Sequence, residues 1–314
     1  MRRRWLMLAP AVTLIAAGVT ACSGGNPLLG RDEECVAAVD DNTATIELDQ
    51  AENAALIAAV ATRRGLPARA VTIAIATAFQ ESKLRNIDYG DRDSVGLFQQ
   101  RPSQGWGTVK QIMDREYAIG KFFDALVKIK NYRELDITVA AQKVQRSAFP
   151  DAYAQHEPEA RALASALSGN SPHALTCEIG NPEAGAEKLA ANGLTTSANR
   201  VRKDVSNTYG SLSLGGFAPA GVTDGHRPGS AHYEGRAIDV FFRPINGDNN
   251  RRGWALAHYL VANADRLNIA TVIFDEKIWT ARRSPDGWRD YTVTSTTGNQ
   301  DILLHRDHVH VDVA

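Results

Sequence analysis

An aspartate stands inside an apolar, strand-like run near the end of the chain, and this feature constrains the fold most. The run covers residues 237–242, with the sequence AIDVFF, and the chain closes on HVHVDVA. A carboxylate such as Asp239 is costly to bury unless a cation or a hydrogen-bond donor partners it. Side chains alternate between the two faces of a strand, so His308 and His310 would project from the same face of the strand that contains them. Two imidazoles and a carboxylate around an open position are typical of a catalytic zinc site.

The residues before the apolar run extend this pattern. The stretch GSAHYEGRAIDVFF contains Ser-x-His-x-x-Gly-x-Ala-x-Asp, which is formed by Ser230, His232, Gly235, Ala237 and Asp239. Together with the later His-x-His it resembles the zinc peptidases of the D-alanyl-D-alanine carboxypeptidase, lysostaphin and hedgehog type. The resemblance covers about residues 196–314 and implies a small α+β domain with an antiparallel sheet.

The resemblance also implies a role for each matching residue. His232, Asp239 and His310 would bind Zn²⁺, which lowers the pKa of water and polarises a scissile carbonyl. His308 would act as a proton carrier or transition-state stabiliser, and Ser230 would orient the site by hydrogen bonding.

The residues leave other interpretations open. Carboxypeptidases of this type place an arginine upstream of the serine, and residues 212–222 contain none, which favours an endopeptidase or a zinc site that no longer catalyses. His226 and His305 flank the site, either as supporting residues or as solvent-facing ones. In the non-metal interpretation the histidines lie at the surface, and Asp239 caps a turn or pairs with Arg243.

A second motif surrounds a glutamate at the end of an apolar helix. Glu81 is followed fifteen residues later by Gly-Leu-Phe-Gln at 96–99, which resembles the lysozyme-like lytic transglycosylases. The resemblance covers about residues 48–170 and implies an all-α domain in which Glu81 protonates the glycosidic oxygen, with a pKa raised by apolar surroundings. Gln99 and Trp106 would contact the glycan. The alternative is a solvated helix-end glutamate and a tryptophan used in packing.

The chain divides by pattern into a helical half and a mixed half, α+β overall. Helical spacing predicts helices over residues 48–64, 67–84, 109–130, 136–147, 151–168, 196–208 and 254–266. A Pro-, Gly- and Ser-rich stretch makes 171–195 the predicted linker. Strands are predicted at 237–242, 271–274, 291–293 and 309–313.

The N-terminus reads as an export signal. Three arginines precede an apolar run and small residues before a cysteine, so residues 1–21 are predicted to be a signal peptide. Residues 19–22, which end on Cys22 just after the predicted signal peptide, resemble a bacterial lipobox. This implies a lipid on Cys22, a tether over 22–47, and a lipoprotein at the outer face of the cytoplasmic membrane. A plain signal peptide or a membrane anchor is the alternative.

The remaining cysteines and the charge add two constraints. If Cys22 is acylated, Cys35 and Cys177 remain, and an even number in an exported protein indicates a disulfide, with two free thiols as the alternative. The formal net charge is −1, which argues against a nucleic-acid partner that needs phosphate neutralisation.

Both resemblances imply peptidoglycan as the substrate. The predicted function is a cell-envelope lipoprotein that remodels peptidoglycan by zinc-dependent cleavage of its peptide cross-links or stems, and that could also cleave the glycan. The alternative is a non-catalytic exported lipoprotein that binds zinc or another divalent metal and holds the wall through its lysozyme-like region.

Overall fold

Helices and antiparallel sheets together build the structure, a computed structural model that describes residues 33–295 and 297–314. The α+β class expected from the sequence is therefore confirmed. In chain order the helices of the described residues are α1 (Leu48–Arg63), α2 (Ala68–Ser82), α3 (Val109–Ile112), α4 (Arg115–Leu126), α5 (Ile137–Gln145), α6 (Glu157–Leu167), α7 (Thr196–Tyr209), α8 (Gly247–Ala262), α9 (Ala264–Leu267) and α10 (Gln300–Leu303). The strands are β1 (Glu34–Val39), β2 (Asn42–Glu47), β3 (Leu175–Glu178), β4 (Ser213–Gly215), β5 (Ala237–Phe241), β6 (Ile269–Phe274), β7 (Lys277–Thr280), β8 (Arg289–Asp290) and β9 (His308–Val313).

A small antiparallel sheet, in the order β2-β1-β3, forms where the sequence predicted a tether and a linker. β1 and β2 make a hairpin within 22–47, and β3 lies within 171–195. Cys35 and Cys177 are partners in the β1–β3 register and form a disulfide. These short strands were missed because the pairing partner of β1 lies far away in sequence, where local periodicity gives no signal.

The central helix of the first half is α2. Every residue from Ala70 to Phe79 is buried, which is the pattern of a helix enclosed on all sides. Alanines at four of these ten positions let α1, α5 and α6 pack closely around it. The last turn of α2 therefore carries its polar residues, Glu81 among them, to the edge of this packed core.

The predicted helix over 109–130 is divided in two. α3 ends at Ile112, and α4 begins after Asp114, whose side chain accepts a hydrogen bond from the backbone N–H of Tyr117. An aspartate satisfies the exposed amide groups of a new helix start, which favours a break at this point.

The larger sheet is antiparallel, in the order β4-β5-β9-β6-β7-β8. β5 and β9 are neighbours near its middle, and α8 packs against β6 and β9. The strand predicted at 291–293 is wrong: β8 ends at Asp290, and the backbone N–H of Tyr291 donates instead to the carbonyl of Glu276.

The helical and mixed halves are in direct contact, and residues Glu33–Ala314 form one compact unit. α8 packs against α1, α6 and β3 as well as the larger sheet. Arg266 lies 3.4 Å from the carboxylate of Glu52 on α1 and 2.8 Å from that of Asp204 on α7. The packing of α8 and the ion pair between Arg266 and Glu52 therefore join the two halves, while the contact with Asp204 lies within the mixed half.

His258 is buried at the contact between α8 and α6. Its Nδ1–H donates to the carbonyl oxygen of Ala166 at 2.7 Å, and the side chain has no exposed area. The pKa of His258 is lowered to about 4, mainly by burial and also by the charge of His173, although the backbone hydrogen bond to Ala166 acts in the opposite direction. The folded protein therefore keeps this imidazole neutral.

We expect the free energy of unfolding to fall between pH 6.5 and about pH 4 because of His258. In this window His258 is protonated in the unfolded chain but stays neutral in the folded chain, so stability is lost as the pH falls. The loss attributable to this group is about 3 kcal/mol. Urea unfolding of the wild type and His258→Leu from pH 4 to 7.5 measures it: the variant should show the shallower pH dependence, whereas parallel profiles would contradict the assignment.

Candidate metal centre and buried glutamate

The larger sheet places the predicted metal ligands side by side. β5 and β9 run antiparallel, with Asp239 opposite His310 and Phe241 opposite His308 in their register. Directly opposed residues in adjacent strands project from the same face of the sheet. The carboxylate and both histidines of β9 therefore lie on one face, although their strands are separated by more than sixty residues of sequence.

Three potential ligand atoms meet at one point. Nε2 of His232 lies 3.3 Å from Oδ1 of Asp239 and 3.0 Å from Nδ1 of His310. Nδ1 of His310 lies 3.2 Å from the same carboxylate oxygen. All three side chains are buried. Ligands bound tetrahedrally to zinc lie roughly 3.3 Å from one another, so the spacing and the donor types fit such an ion.

The rings are held so that these atoms face inward. Nδ1 of His232 lies 2.7 Å from the carbonyl oxygen of Gly216, which only accepts, so Nδ1 carries the proton and Nε2 offers its lone pair. Nε2 of His310 lies 3.2 Å from Asp312, which leaves Nδ1 as the inward atom. Such outer partners fix the orientation of metal-binding histidines.

The backbone around His232 is shaped by two small residues. Gly216 has φ +76, and a Cβ there would come within 2.3 Å of the His232 ring, so only glycine fits. Ser230 precedes the short 3₁₀ helix Ala231–Glu234, and its hydroxyl accepts from the backbone N–H of His232 at 3.4 Å. Ser230 thus contacts the backbone of the ligand rather than its ring.

His226 lies over this cluster. Its ring stacks on His232 with centroids 3.9 Å apart, and ligand atoms of His226, His232 and Asp239 all lie within 4.8 Å of one another. The described residues therefore include a group that could hold a metal ion. Since the two stacked rings occupy separate planes, His226 would have to turn before it could bind the same ion as His232.

Asp239 remains ionised despite its burial. Burial raises the pKa of this carboxyl, but hydrogen bonds and charges from His232 and His310, when their inward nitrogens carry protons, more than offset the effect and hold the pKa well below its usual range. An ionised carboxylate is the form that binds a metal cation.

His308 lies beside the cluster and is held by a neighbour in sequence. Its Nδ1 is 2.6 Å from Oδ1 of Asp307, and its Nε2 is 3.8 Å from Oδ1 of Asp239. The imidazole thus presents Nε2 toward the three converging ligand atoms. These groups line an open pocket of about 730 Å³, which is large enough to receive a peptide segment.

Glu81 occupies a second, separate setting at the end of α2. Burial raises its pKa, while hydrogen bonds from Tyr153 and Gln145 act in the opposite direction. The hydroxyl of Tyr153 donates to Oε1 of Glu81 at 2.8 Å. The adjacent Ser82 donates to the carbonyl of Leu97 at 2.8 Å, which ties the glutamate to the loop of the Gly-Leu-Phe-Gln motif.

The two predicted glycan contacts have local structural partners. Nε2 of Gln99 donates to the carbonyls of Tyr89 and Gly96, each at 3.2 Å, and so braces the loop. The ring of Trp106 packs partly buried against the core, and its carbonyl accepts from Tyr117. Any contact of these side chains with a sugar stays a prediction.

Sequence reasoning missed Asp307, Asp312 and Gly216. Asp312 could have been found, since it lies two residues beyond His310 and therefore on the same face of β9. Asp307 directly precedes β9 and Gly216 directly follows β4, so neither is marked by periodicity.

The predicted signal peptide and Cys22 lie outside the described residues. Across the part of the chain that is described, no helix combines the length and apolar character needed to cross a bilayer.

Part of the chain is similar to a known protein family. A comparison with curated proteins finds none that matches the chain. Residues 190–301 are similar to the family described as "VldE, C-terminal domain", a range that includes His226, His232 and Asp239 and stops before β9.

Proposed function

We propose that this protein is a zinc-dependent peptidase of the cell envelope that cuts the peptide cross-links or stems of peptidoglycan. The observation that carries the proposal is the meeting of His232 Nε2, Asp239 Oδ1 and His310 Nδ1 within 3.3 Å, with His308 beside them. Metal ligands must converge from distant parts of a chain, whereas unrelated surface histidines need not.

Different side chains would have different roles in peptide hydrolysis. His232, Asp239 and His310 would hold the ion, with Gly216 and Asp312 fixing the two rings. Zinc bound there supplies Lewis-acid polarisation of the scissile carbonyl and a more acidic water. His308 would carry a proton on Nε2 between the attacking water and the departing amine, because its other nitrogen is engaged by Asp307.

The pocket favours an endopeptidase over a carboxypeptidase. Of the arginines that line it, Arg236 pairs with Glu234 at 2.7 Å and Arg243 pairs with Asp307 at 2.6 Å. Arg227, exposed at the mouth, is the remaining arginine of the lining. Comparing cross-linked muropeptides with stems that end in a free carboxylate tests this preference: faster release from the cross-linked substrate supports an endopeptidase.

The decisive variant for catalysis is His308→Ala in zinc-loaded protein. We expect it to keep one zinc per chain and to lose peptide release from purified sacculi by about 100-fold or more, because the proton carrier is gone while the three ligands remain. Chelator-treated wild type is the control. Full zinc occupancy with no release from any muropeptide by the wild type would instead support the non-catalytic metal-binding protein.

A second candidate activity is glycan cleavage at Glu81, in a lysozyme-like helical region. The observation that favours it is a carboxyl group whose pKa is raised by burial and which lies within hydrogen-bond distance of Tyr153. A carboxyl kept protonated can donate its proton to a glycosidic oxygen.

Glu81→Gln tests both the proposed glycan cleavage and the effect of the buried glutamate on the free energy of unfolding. The variant should release no anhydro-sugar products from sacculi. It should also be more stable than the wild type at pH 8, because a glutamate with a raised pKa loses stability as the pH rises through that pKa. The difference should disappear near pH 3, where Glu81 is protonated in both the folded and the unfolded wild type. Unchanged product release would contradict the assignment.

The proposed location is the outer face of the cytoplasmic membrane, through a lipid on Cys22. The support is the lipobox-like sequence before this cysteine. Mass spectrometry of the membrane-extracted N-terminal peptide tests it: a diacylglycerol adduct is expected for the wild type and its absence for Cys22→Ser.

A further inference from the structure

Two charged side chains behind His308 form a chain of contacts that leads away from the metal centre. Asp307 is buried, and its Oδ1 faces Nδ1 of His308 at 2.6 Å. Its Oδ2 accepts from Nε and from a terminal nitrogen of Arg243 at 2.7 and 2.6 Å. The guanidinium of Arg243 also lies 4.2 Å from the centre of the Phe241 ring.

We propose that Asp307 is the positioning residue that sets the tautomer of His308, and that Arg243 fixes which oxygen of Asp307 does so. The proposal rests on the proposed peptidase function. A carboxylate only accepts, so the hydrogen bond to Asp307 keeps the proton of neutral His308 on Nδ1. Nε2 then faces the converging ligands with a lone pair, ready to take a proton from water.

Arg243 gives the arrangement a fixed direction. A guanidinium only donates, and both of its contacting nitrogens lie on Oδ2. The carboxylate is thereby held with Oδ1 toward His308. Contact with the ring of Phe241 also holds the guanidinium in place.

The same geometry predicts an unusual effect of a nearly isosteric change. In Asp307→Asn the amide must turn its oxygen to Arg243, since two donors cannot face each other. Its NH₂ group then faces Nδ1 of His308, which has to accept, so the proton moves to Nε2. His308 would present a proton where it should present a lone pair, with little change in shape.

The first experiment compares zinc-loaded wild type and Asp307→Asn. For the variant we expect kcat for muropeptide release to fall by about 100-fold or more, with KM within about threefold and one zinc per chain retained. Nitrogen-15 NMR of labelled histidine at pH 8, assigned with His308→Ala, should place the proton on Nδ1 in the wild type and on Nε2 in the variant. A wild-type proton on Nε2 would overturn the proposal without any variant.

A double variant tests whether Asp307 sets the tautomer of His308 or only stabilises the fold. In Asp307→Asn with Arg243→Met the amide is released from the guanidinium and can turn its oxygen to Nδ1–H. We expect kcat to recover by about tenfold over Asp307→Asn alone, and the proton to return to Nδ1. Arg243→Met alone should lose less than tenfold. A residue that only stabilised the fold would give further loss in the double variant, and that result would refute the proposal.

The two readouts distinguish the possible failures. If the wild type releases no peptide but the tautomer moves as described, the proposed function fails and the positioning stands. If peptide is released and the tautomer does not respond to Asp307→Asn, the function stands and the positioning is refuted.

Discussion

Asp239→Ala is expected to abolish stoichiometric zinc binding and to reduce peptide release by about 1,000-fold or more. Oδ1 of Asp239 lies within 3.3 Å of both His232 Nε2 and His310 Nδ1. In the proposed set of three ligands it is the only one that carries a negative charge. Without it two imidazoles remain, too few to hold zinc against dialysis. Elemental analysis of dialysed protein and a muropeptide-release assay measure both effects.

Two control variants make this result specific. Asp248→Ala removes an aspartate whose side chain is 89% exposed on α8, and should leave zinc content and release unchanged. Asp312→Asn should keep one zinc but weaken its affinity by about 10- to 100-fold, because Asp312 orients His310 without reaching the ion. A folded Asp239→Ala protein that retains one zinc per chain would refute the site.

Histidine variants decide between the two ligand sets that the cluster allows. In the proposed set His310→Ala loses zinc and His226→Ala retains it. Retention by His310→Ala with loss by His226→Ala would instead assign the ion to His226, His232 and Asp239, whose ligand atoms lie within 4.8 Å.

Removal of the disulfide should have the largest effect on stability. Cys35→Ala with Cys177→Ala is expected to lower the free energy of unfolding by about 3–5 kcal/mol. The bond joins residues 142 positions apart, so its loss frees a long loop in the unfolded chain and costs about 5 kcal/mol on the loop-entropy account. Both cysteines are fully buried between β1 and β3, so the variant also leaves small voids.

Urea unfolding with and without a reductant measures this contribution. Reduced wild type should unfold at nearly the urea concentration of the double variant, and the reductant should not change the variant. The wild type should require clearly more urea when oxidised. A difference below about 1 kcal/mol between oxidised wild type and the double variant would show that the closed loop contributes little to stability.

The sequence was most informative where the signal is local. Helical spacing located α1, α2, α5 and α7 to within about two residues, because each repeats its apolar positions over several turns. The predictions over 151–168 and 254–266 were less accurate, since α6 begins at Glu157 and α8 begins at Gly247. A period of two placed His308 and His310 on one face of a strand, and that geometry holds for any strand. Where a cap interrupted the period, at Asp114, the prediction over 109–130 was wrong.

Partners that are distant in sequence were not predictable in the same way. The β1–β3 pairing, the packing of α8 between the two halves and the stacking of His226 on His232 all join residues far apart in the chain. Each depends on the path of intervening segments, which no local pattern records.

The residue types of the site, their spacing and the number of cysteines are properties of the sequence by itself. They were sufficient to name His232, Asp239 and His310 as candidate ligands, since ligand chemistry limits which side chains can serve. Only the tertiary structure decided how each imidazole is turned and what lies behind it, such as Asp307 behind His308. The reason is physical: the orientation of a ring follows from hydrogen bonds that exist only after the chain has folded.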